Sequence, residues 1–151
     1  MKKLTVEHLE SLVGKEIGLS AWLEMTQDRI RAFAEATEDR QWIHLDEERA
    51  RKSPLRSTVA HGYLLLSLLA FFNYQYEIFQ RRMRMAVNYG LNKVRFIHPV
   101  RPGERIRNRA VLKRLEKRGL RKVLIEVENT IEIEHQKKPA LKADSLALLF
   151  L

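Results

Sequence analysis

His61-Gly62-Tyr63-Leu64-Leu65-Leu66-Ser67-Leu68-Leu69-Ala70-Phe71-Phe72 is apolar nearly all the way round a helical wheel. A helix of that kind is buried on every side rather than amphipathic on a surface. It is too short to span a bilayer, which takes about 20 apolar residues. Working outward, the sixty residues at the C-terminal end carry the two-residue period of strands. Ile106, Asn108, Ala110 and Leu112 share one face, against Arg105, Arg107, Arg109 and Lys113 on the other. Val123, Ile125, Val127, Ile131 and Ile133 repeat the pattern against Glu126, Glu128, Glu132 and Glu134. Lys117-Arg118-Gly119 separates the two runs and predicts a hairpin. Asn92 to Phe96 is read as a preceding strand and Ala140 to Phe150 as a final one, giving three or four antiparallel strands. A wholly apolar helix must then be wrapped by the sheet, an α+β architecture, with the outer face of the sheet solvated.

Toward the N-terminus, residues 5–13 suit a short helix closed by Gly14. Residues 16–23 suit a short strand. Thr26 is a good N-cap for a helix ending near Thr37, with Asp28 favourable in its first turn. Residues 38–45 form a connection, and Asp46 to Lys52 a short helix before Ser53-Pro54. Tyr74 to Met85, aromatic and then basic, carries no readable period.

The chain has 151 residues, which bounds it as one domain spanning 1–151. Its composition, 45% hydrophobic and 31% charged, excludes a disordered or low-complexity chain. There is no cysteine, so disulfides, Cys-based zinc sites and thiol nucleophiles are excluded. The start carries no apolar run of the secretory kind, and a cytoplasmic protein with no membrane segment is expected. Lys and Arg number 28 against 19 Asp and Glu, a net charge of +9 that attracts anions. Two runs, Arg81-Arg82-Met83-Arg84 and Lys113 to Arg118, could face phosphate. The strand arginines are read instead as cross-strand partners of glutamates. No nucleic-acid module is recognisable, so no nucleic-acid partner is expected.

The densest polar chemistry is Glu38-Asp39-Arg40-Gln41-Trp42-Ile43-His44, then Ala60-His61-Gly62. A carboxylate and an imidazole that meet at one water form an acid–base pair, because histidine titrates near neutrality. The first N–H groups of a helix opening at Gly62 are free, and its dipole favours developing negative charge. Spacing alone leaves the plain reading open: Asp39 as a turn former, His44 as a satisfied loop residue and His61 as a structural histidine.

The segments FAEATEDRQWIHLDEERA and TVAHGYLLLSLL resemble the MaoC-like dehydratases and R-specific enoyl-CoA hydratases, in the branch of nodulation protein N. That branch also carries Gln41-Trp42-Ile43-His44 and a stretch like Asn88 to Phe96. The resemblance runs from about residue 16 to the end. It implies a hotdog fold, a sheet wrapped around a long helix, usually in a dimer. It implies hydration of a trans-2-enoyl thioester to an R-3-hydroxyacyl thioester, or the reverse, on coenzyme A or acyl carrier protein. Carried over, Asp39 and His44 are the catalytic pair, Gly62 supplies the backbone N–H for the thioester carbonyl, and Gln41, Trp42 and His61 are candidate pocket residues. No metal and no further cofactor is implied. Two positions depart from the family pattern: Gln41-Trp42 stands where the hydratases proper usually have Asn-Pro, and Glu38 where Gly is frequent. A hotdog acyl-CoA thioesterase and a non-catalytic acyl-thioester binder are the competing readings.

Overall fold

The computed structural model describes residues 2–151. The apolar run becomes α5, Gly62–Asn73, and the alternating runs become β4, Arg105–Lys117, and β5, Lys122–Ile133. Ahead of α5 lie α1 (Val6–Leu12), β1 (Glu16–Leu19), β2 (Leu23–Glu24), α2 (Gln27–Thr37), α3 (Trp42–Leu45) and α4 (Glu47–Arg51). After it come α6 (Glu77–Gln80), β3 (Met85–Phe96) and, beyond β5, β6 (Leu141–Phe150). The strands form one antiparallel sheet in the order β1-β4-β5-β6-β3, with β2 also pairing β4. It is the hotdog arrangement: α5 lies in the sheet's concave face.

The expected caps form. The Thr26 side chain accepts from the N–H of Arg29, and Gly14 takes the left-handed conformation, φ 80°, just after α1. Leu64, Leu65, Leu68, Leu69 and Phe72 turn inward from α5 onto Ile106, Ile131 and Leu141 of the sheet. Burying each such side chain contributes about 1.5–3 kcal/mol. A second apolar cluster, including Leu4, Leu9, Ile78 and Ile125, lies under α1 and α6. Within the interior Asn108 donates to the Tyr76 hydroxyl (3.0 Å) and to Asn129 Oδ1 (2.9 Å). Burial is the main reason the Tyr76 phenol is pushed up to about 12.

The outer face pairs its charges. Arg107 lies directly opposite Glu132 in the β4–β5 register and donates to it at 2.7 Å, and Arg105 donates to Glu134 at 3.1 Å. Arg109 bridges Glu132 and Glu16.

Four expectations are corrected. Six strands form, because residues 16–23 break into β1 and β2 where Ala21 N–H donates to Gln75 Oε1. The 38–45 connection contains the one-turn helix α3. Tyr74 to Met85 holds α6 and the start of β3, which runs seven residues further back than Asn92. Lastly, α5 is not enclosed on every side. Tyr63, Ser67, Ala70, Phe71 and Tyr74 form an exposed stripe, with Tyr63 68% and Tyr74 73% exposed. The neighbouring strand β3 is exposed along nearly its whole length. No helix among the described residues is long and apolar enough to cross a membrane.

Candidate active site

Helix α2 ends at Glu38, which takes the left-handed conformation (φ 62°, ψ 11°). A positive φ of this kind favours glycine, and here a glutamate takes it. Here Glu38 is held by an ion pair with Arg40, which also pairs with Glu35 at 2.8 Å. The sharp turn aims Asp39 back toward the head of α5. One turn later α3 presents His44, which is 6% exposed.

His44 is fixed from three sides. Its Nδ1–H donates to the Val59 carbonyl at 2.6 Å. A carbonyl only accepts, so the free lone pair of His44 is on Nε2. Its own carbonyl accepts from Gln27 Nε2 (2.8 Å), whose Oε1 accepts from Thr58 Oγ1 (2.5 Å). Val59 N–H donates to the Ile43 carbonyl at 3.0 Å, which fastens α3 to the segment leading into α5. Burial, chiefly, lowers the pKa of His44, and nearby His61 acts the same way. The Val59 carbonyl and the Asp39 carboxylate oppose them without prevailing. The imidazole is therefore neutral at pH 7 and able to take a proton.

His61 is 2% exposed and its ring stacks on His44, centroids 3.6 Å apart. Its Nε2–H donates to the Asp39 carbonyl at 3.0 Å, tying the Asp39 loop to the first residue of α5. Its Nδ1 is buried and has no partner. Ligand atoms of Asp39, His44 and His61 all lie within 4.8 Å of one another. These three donors are the residues that could hold a divalent cation. The two uses compete, since a lone pair that binds a metal cannot also accept a proton.

His61 caps α5 without a side-chain hydrogen bond to the helix. The N–H groups of Gly62 and Tyr63 have no intrahelical acceptor, being in the first turn. Gly62 is also where the Phe96 ring packs against the backbone: an added Cβ would lie 2.8 Å from Phe96 Cδ1. The structure thus gathers Asp39, His44, His61 and Gly62. It does not bring in the other two candidates. Gln41 is exposed, and the Trp42 ring lies under the Arg49 guanidinium (4.3 Å) in a surface groove shared with Asp46 and Lys52. Sequence reasoning missed Gln27 and Thr58, whose polar types at ordinary helix and loop positions give no signal.

A hotdog sheet whose central helix opens beside an Asp, a His and free N–H groups defines a class of α+β domain. Within that class the chain belongs to the MaoC-like family, whose MaoC like domain model matches residues 8–136. Nodulation protein N of Rhizobium leguminosarum bv. viciae is 41% identical over 150 residues, covering 99% of this chain and 93% of its own. The 3-hydroxyacyl-thioester dehydratase Z of Mycobacterium tuberculosis is 41% identical over 143 residues, covering 94% and 93%. Among solved structures, the monoamine oxidase regulatory protein of Archaeoglobus fulgius aligns with a TM-score of 0.81 at 25% identity, covering 94% of this chain and 93% of its own. The (R)-hydratase from A. caviae aligns with a TM-score of 0.74 at 19% identity, covering 89% and 94%, and shares the fold.

Proposed function

We propose that this protein interconverts trans-2-enoyl and R-3-hydroxyacyl thioesters as a hydratase/dehydratase. The observation that carries the reading is the meeting of Asp39 and the free Nε2 of His44 with the open N-terminus of α5. A relative 41% identical along nearly the whole chain is named a 3-hydroxyacyl-thioester dehydratase, which supports it.

In the hydration direction the thioester oxygen accepts from Gly62 N–H, which draws electrons from the β-carbon. Water held by Asp39 and His44 attacks that carbon while its proton passes to the pair. The π electrons move onto the thioester oxygen as an enolate, stabilised by the N–H and the helix dipole. The pair then returns a proton to the α-carbon, and the enolate collapses to the 3-hydroxyacyl thioester. Electrons balance without a redox partner or covalent intermediate, so the route calls on no cofactor or metal beyond the thioester. Acid–base catalysis of this kind contributes about 10²–10⁴-fold.

The functional unit in this reading is a homodimer joined through β3. A strand twelve residues long at the sheet edge, bearing exposed Met85, Val87, Tyr89 and Leu91 beside the apolar stripe of α5, is what a second copy would cover.

The test is turnover of a panel of trans-2-enoyl-CoAs with chiral analysis of the product. Hydration to the R alcohol supports the proposal. Release of free thiol would establish a thioesterase instead, and binding without turnover a non-catalytic acyl-thioester protein.

A further inference from the structure

A polar row crosses the inner face of the sheet. Asn108 sits between Ile106 of one apolar cluster and Ala110 of the other, Asn129 between Ile131 and Val127, and Ser145 between Ala143 and Ala147. The hydrogen bonds of the row run one way. The Tyr76 hydroxyl donates to the Asn108 main-chain carbonyl at 2.9 Å and accepts from Asn108 Nδ2 at 3.0 Å. Asn108 Nδ2 also donates to Asn129 Oδ1 (2.9 Å), and Asn129 Nδ2 donates to Ser145 Oγ (2.9 Å). The orientation of the Asn129 amide is fixed, because Nδ2 also faces the carbonyls of Val127 (2.9 Å) and Ala143 (3.3 Å), which only accept. Ser145 therefore receives the last hydrogen bond of the row and keeps its own hydrogen. Its one acceptor among the described residues is the Val127 carbonyl at 3.5 Å. That is beyond the reach of an ordinary O–H···O bond, about 2.5–3.0 Å.

Ser145 stands in the wall of a cavity of about 370 Å³ beside the C-terminal half of α5, where Leu66, Leu69, Ala70, Asn73 and Phe79 also line it. Ser67, on the same helix wall, already donates to the Tyr63 carbonyl at 2.8 Å. Asn73 Oδ1 is buried without a partner. Among mostly apolar walls the cavity thus holds one unengaged donor, the Ser145 hydroxyl, and one unengaged acceptor, the Asn73 amide oxygen. Helix α5 leads to it from the catalytic cluster. Leu66 to Asn73 stand about 6–16 Å beyond Gly62 along the helix axis, at about 1.5 Å per residue. A thioester whose oxygen accepts from Gly62 N–H and whose acyl chain follows α5 lays its distal carbons in this cavity. A plain hydrocarbon chain there would leave both polar groups unpaired, which costs binding. A hydroxyl on the chain accepts from Ser145 and donates to Asn73.

We infer that Ser145 is a specificity residue for an acyl chain bearing a hydroxyl remote from the reacting carbons, so that the substrates of this protein are hydroxylated acyl thioesters and not plain hydrocarbon ones. The inference rests on the proposed hydratase/dehydratase reading and names the substrate class of that site. A site built to hydrogen-bond a hydroxyl rejects the analogue lacking it far more strongly than an apolar pocket rejects an added methylene. The row behind Ser145 serves this selection in two ways. It fixes the oxygen and leaves only the direction of the hydrogen free, and successive donors polarise one another and strengthen the last.

The experiment compares trans-2-enoyl-CoAs of one chain length that differ only in a hydroxyl, placed in turn on successive carbons of the distal half. The wild type should prefer the best-placed hydroxylated substrate over the plain one by about tenfold or more in kcat/KM, the discrimination expected of one buried hydrogen bond. In Ser145→Ala that preference should fall to near one. Ser145→Cys, close to serine in volume but a weak donor, should move the ratio in the same direction, which guards against misfolding of the first variant. Circular dichroism verifies that both fold. A wild type that prefers the plain chain at every hydroxyl position overturns the inference. So does a hydroxyl preference that neither substitution alters. If the wild type turns over neither kind of thioester, the proposed reaction fails, and the cavity is judged separately by titration calorimetry with the corresponding saturated acyl-CoAs. Tighter binding of the hydroxylated chain, lost in Ser145→Ala, would then uphold the inference, and equal affinity for the two chains would overturn it.

Discussion

Replacing Gly62 by proline removes the N–H assigned to the thioester oxygen while sparing the helix. Proline is favoured at the first position of a helix, where its missing N–H breaks no intrahelical bond. The preceding residue must be extended, and His61 already is, at φ −61° and ψ 137°. The obstacle is steric: Cβ would lie 2.8, 2.9 and 3.0 Å from Cδ1, Cε1 and Cγ of Phe96. Phe96→Ala removes that clash and gives up the edge contact with Tyr63, centroids 5.8 Å apart. The loss is about 0.5–1.5 kcal/mol beyond burial and is common to every arm. The informative pair is therefore Gly62→Pro/Phe96→Ala against Gly62→Ala/Phe96→Ala, which differ at the donor. Losing one oxyanion donor costs about 10²–10³ in kcat, or about 2.7–4 kcal/mol. Tyr63 N–H still opens from the same helix end, so the lower bound, about a hundredfold, is expected. Loss of enoyl-thioester absorbance gives the rate, and circular dichroism with thermal melting verifies that both variants fold. If both are folded and their kcat values agree within about threefold, the N–H of Gly62 is not the donor and the assignment falls.

Asp39→Asn and His44→Ala should each lower turnover by about two orders of magnitude or more, Asp39→Asn with little change in melting temperature and His44→Ala with a lowered one because it strips the buried Val59 carbonyl of its donor, and near wild-type activity in either would remove the pair from the chemistry. Because burial lowers the His44 pKa, the acid limb of kcat/KM should fall below about 6.5, the ordinary imidazole value. The same depression makes the stability owed to neutral His44 complete above that value and lost as pH falls through the folded pKa. An acid limb above about 7 contradicts the assignment. Leu91→Arg, placing a charge in the middle of the exposed β3 edge, should give a monomer by light scattering at micromolar concentration, and a persisting dimer would exclude β3 as the interface. Glu38→Gly should raise stability by about 1 kcal/mol, since a side chain in the left-handed region costs about 1–2 kcal/mol and exposed ion pairs return little; a lowered melting temperature would show that the Arg40 pair outweighs the strain.

What could be read in advance followed burial within one chain. The β4–β5 hairpin was legible because one face meets α5 and the other meets water, so apolar and charged residues alternate. Residues 85–91 of β3 also alternate, Met85, Val87, Tyr89 and Leu91 against Ala86, Asn88 and Gly90, yet both faces are exposed in the single chain. Sequence period alone therefore does not tell an apolar face that the chain buries from one that it leaves exposed. The same cause misled the reading of α5. Its apolar residues go all the way round because two surfaces need them, the sheet on one side and the exposed stripe of Tyr63, Phe71 and Tyr74 on the other. The four-residue helix α3 is simply too short to hold a period.

The site was legible as residue types and not as geometry. Asp39 and His44 could be named, but what makes them a pair lies in the backbone around them. Glu38 turns left-handed to aim Asp39, the Val59 carbonyl takes the Nδ1 proton of His44 and frees Nε2, and the Asp39 carbonyl binds His61 at the head of α5. Main-chain groups are the same at every position, so a carbonyl that fixes a tautomer leaves no mark in the amino-acid sequence. His61 shows the consequence. Its spacing suggested a structural histidine, and its ring does carry a structural load, since Phe33 packs on one neighbour-facing edge with centroids 5.0 Å apart. Yet that ring also stacks on His44 and adds to the lowering of its pKa. Structural and chemical roles coincide in one side chain here, because a neutral base must be kept dry by something, and the residue that opens the helix is the one standing next to it.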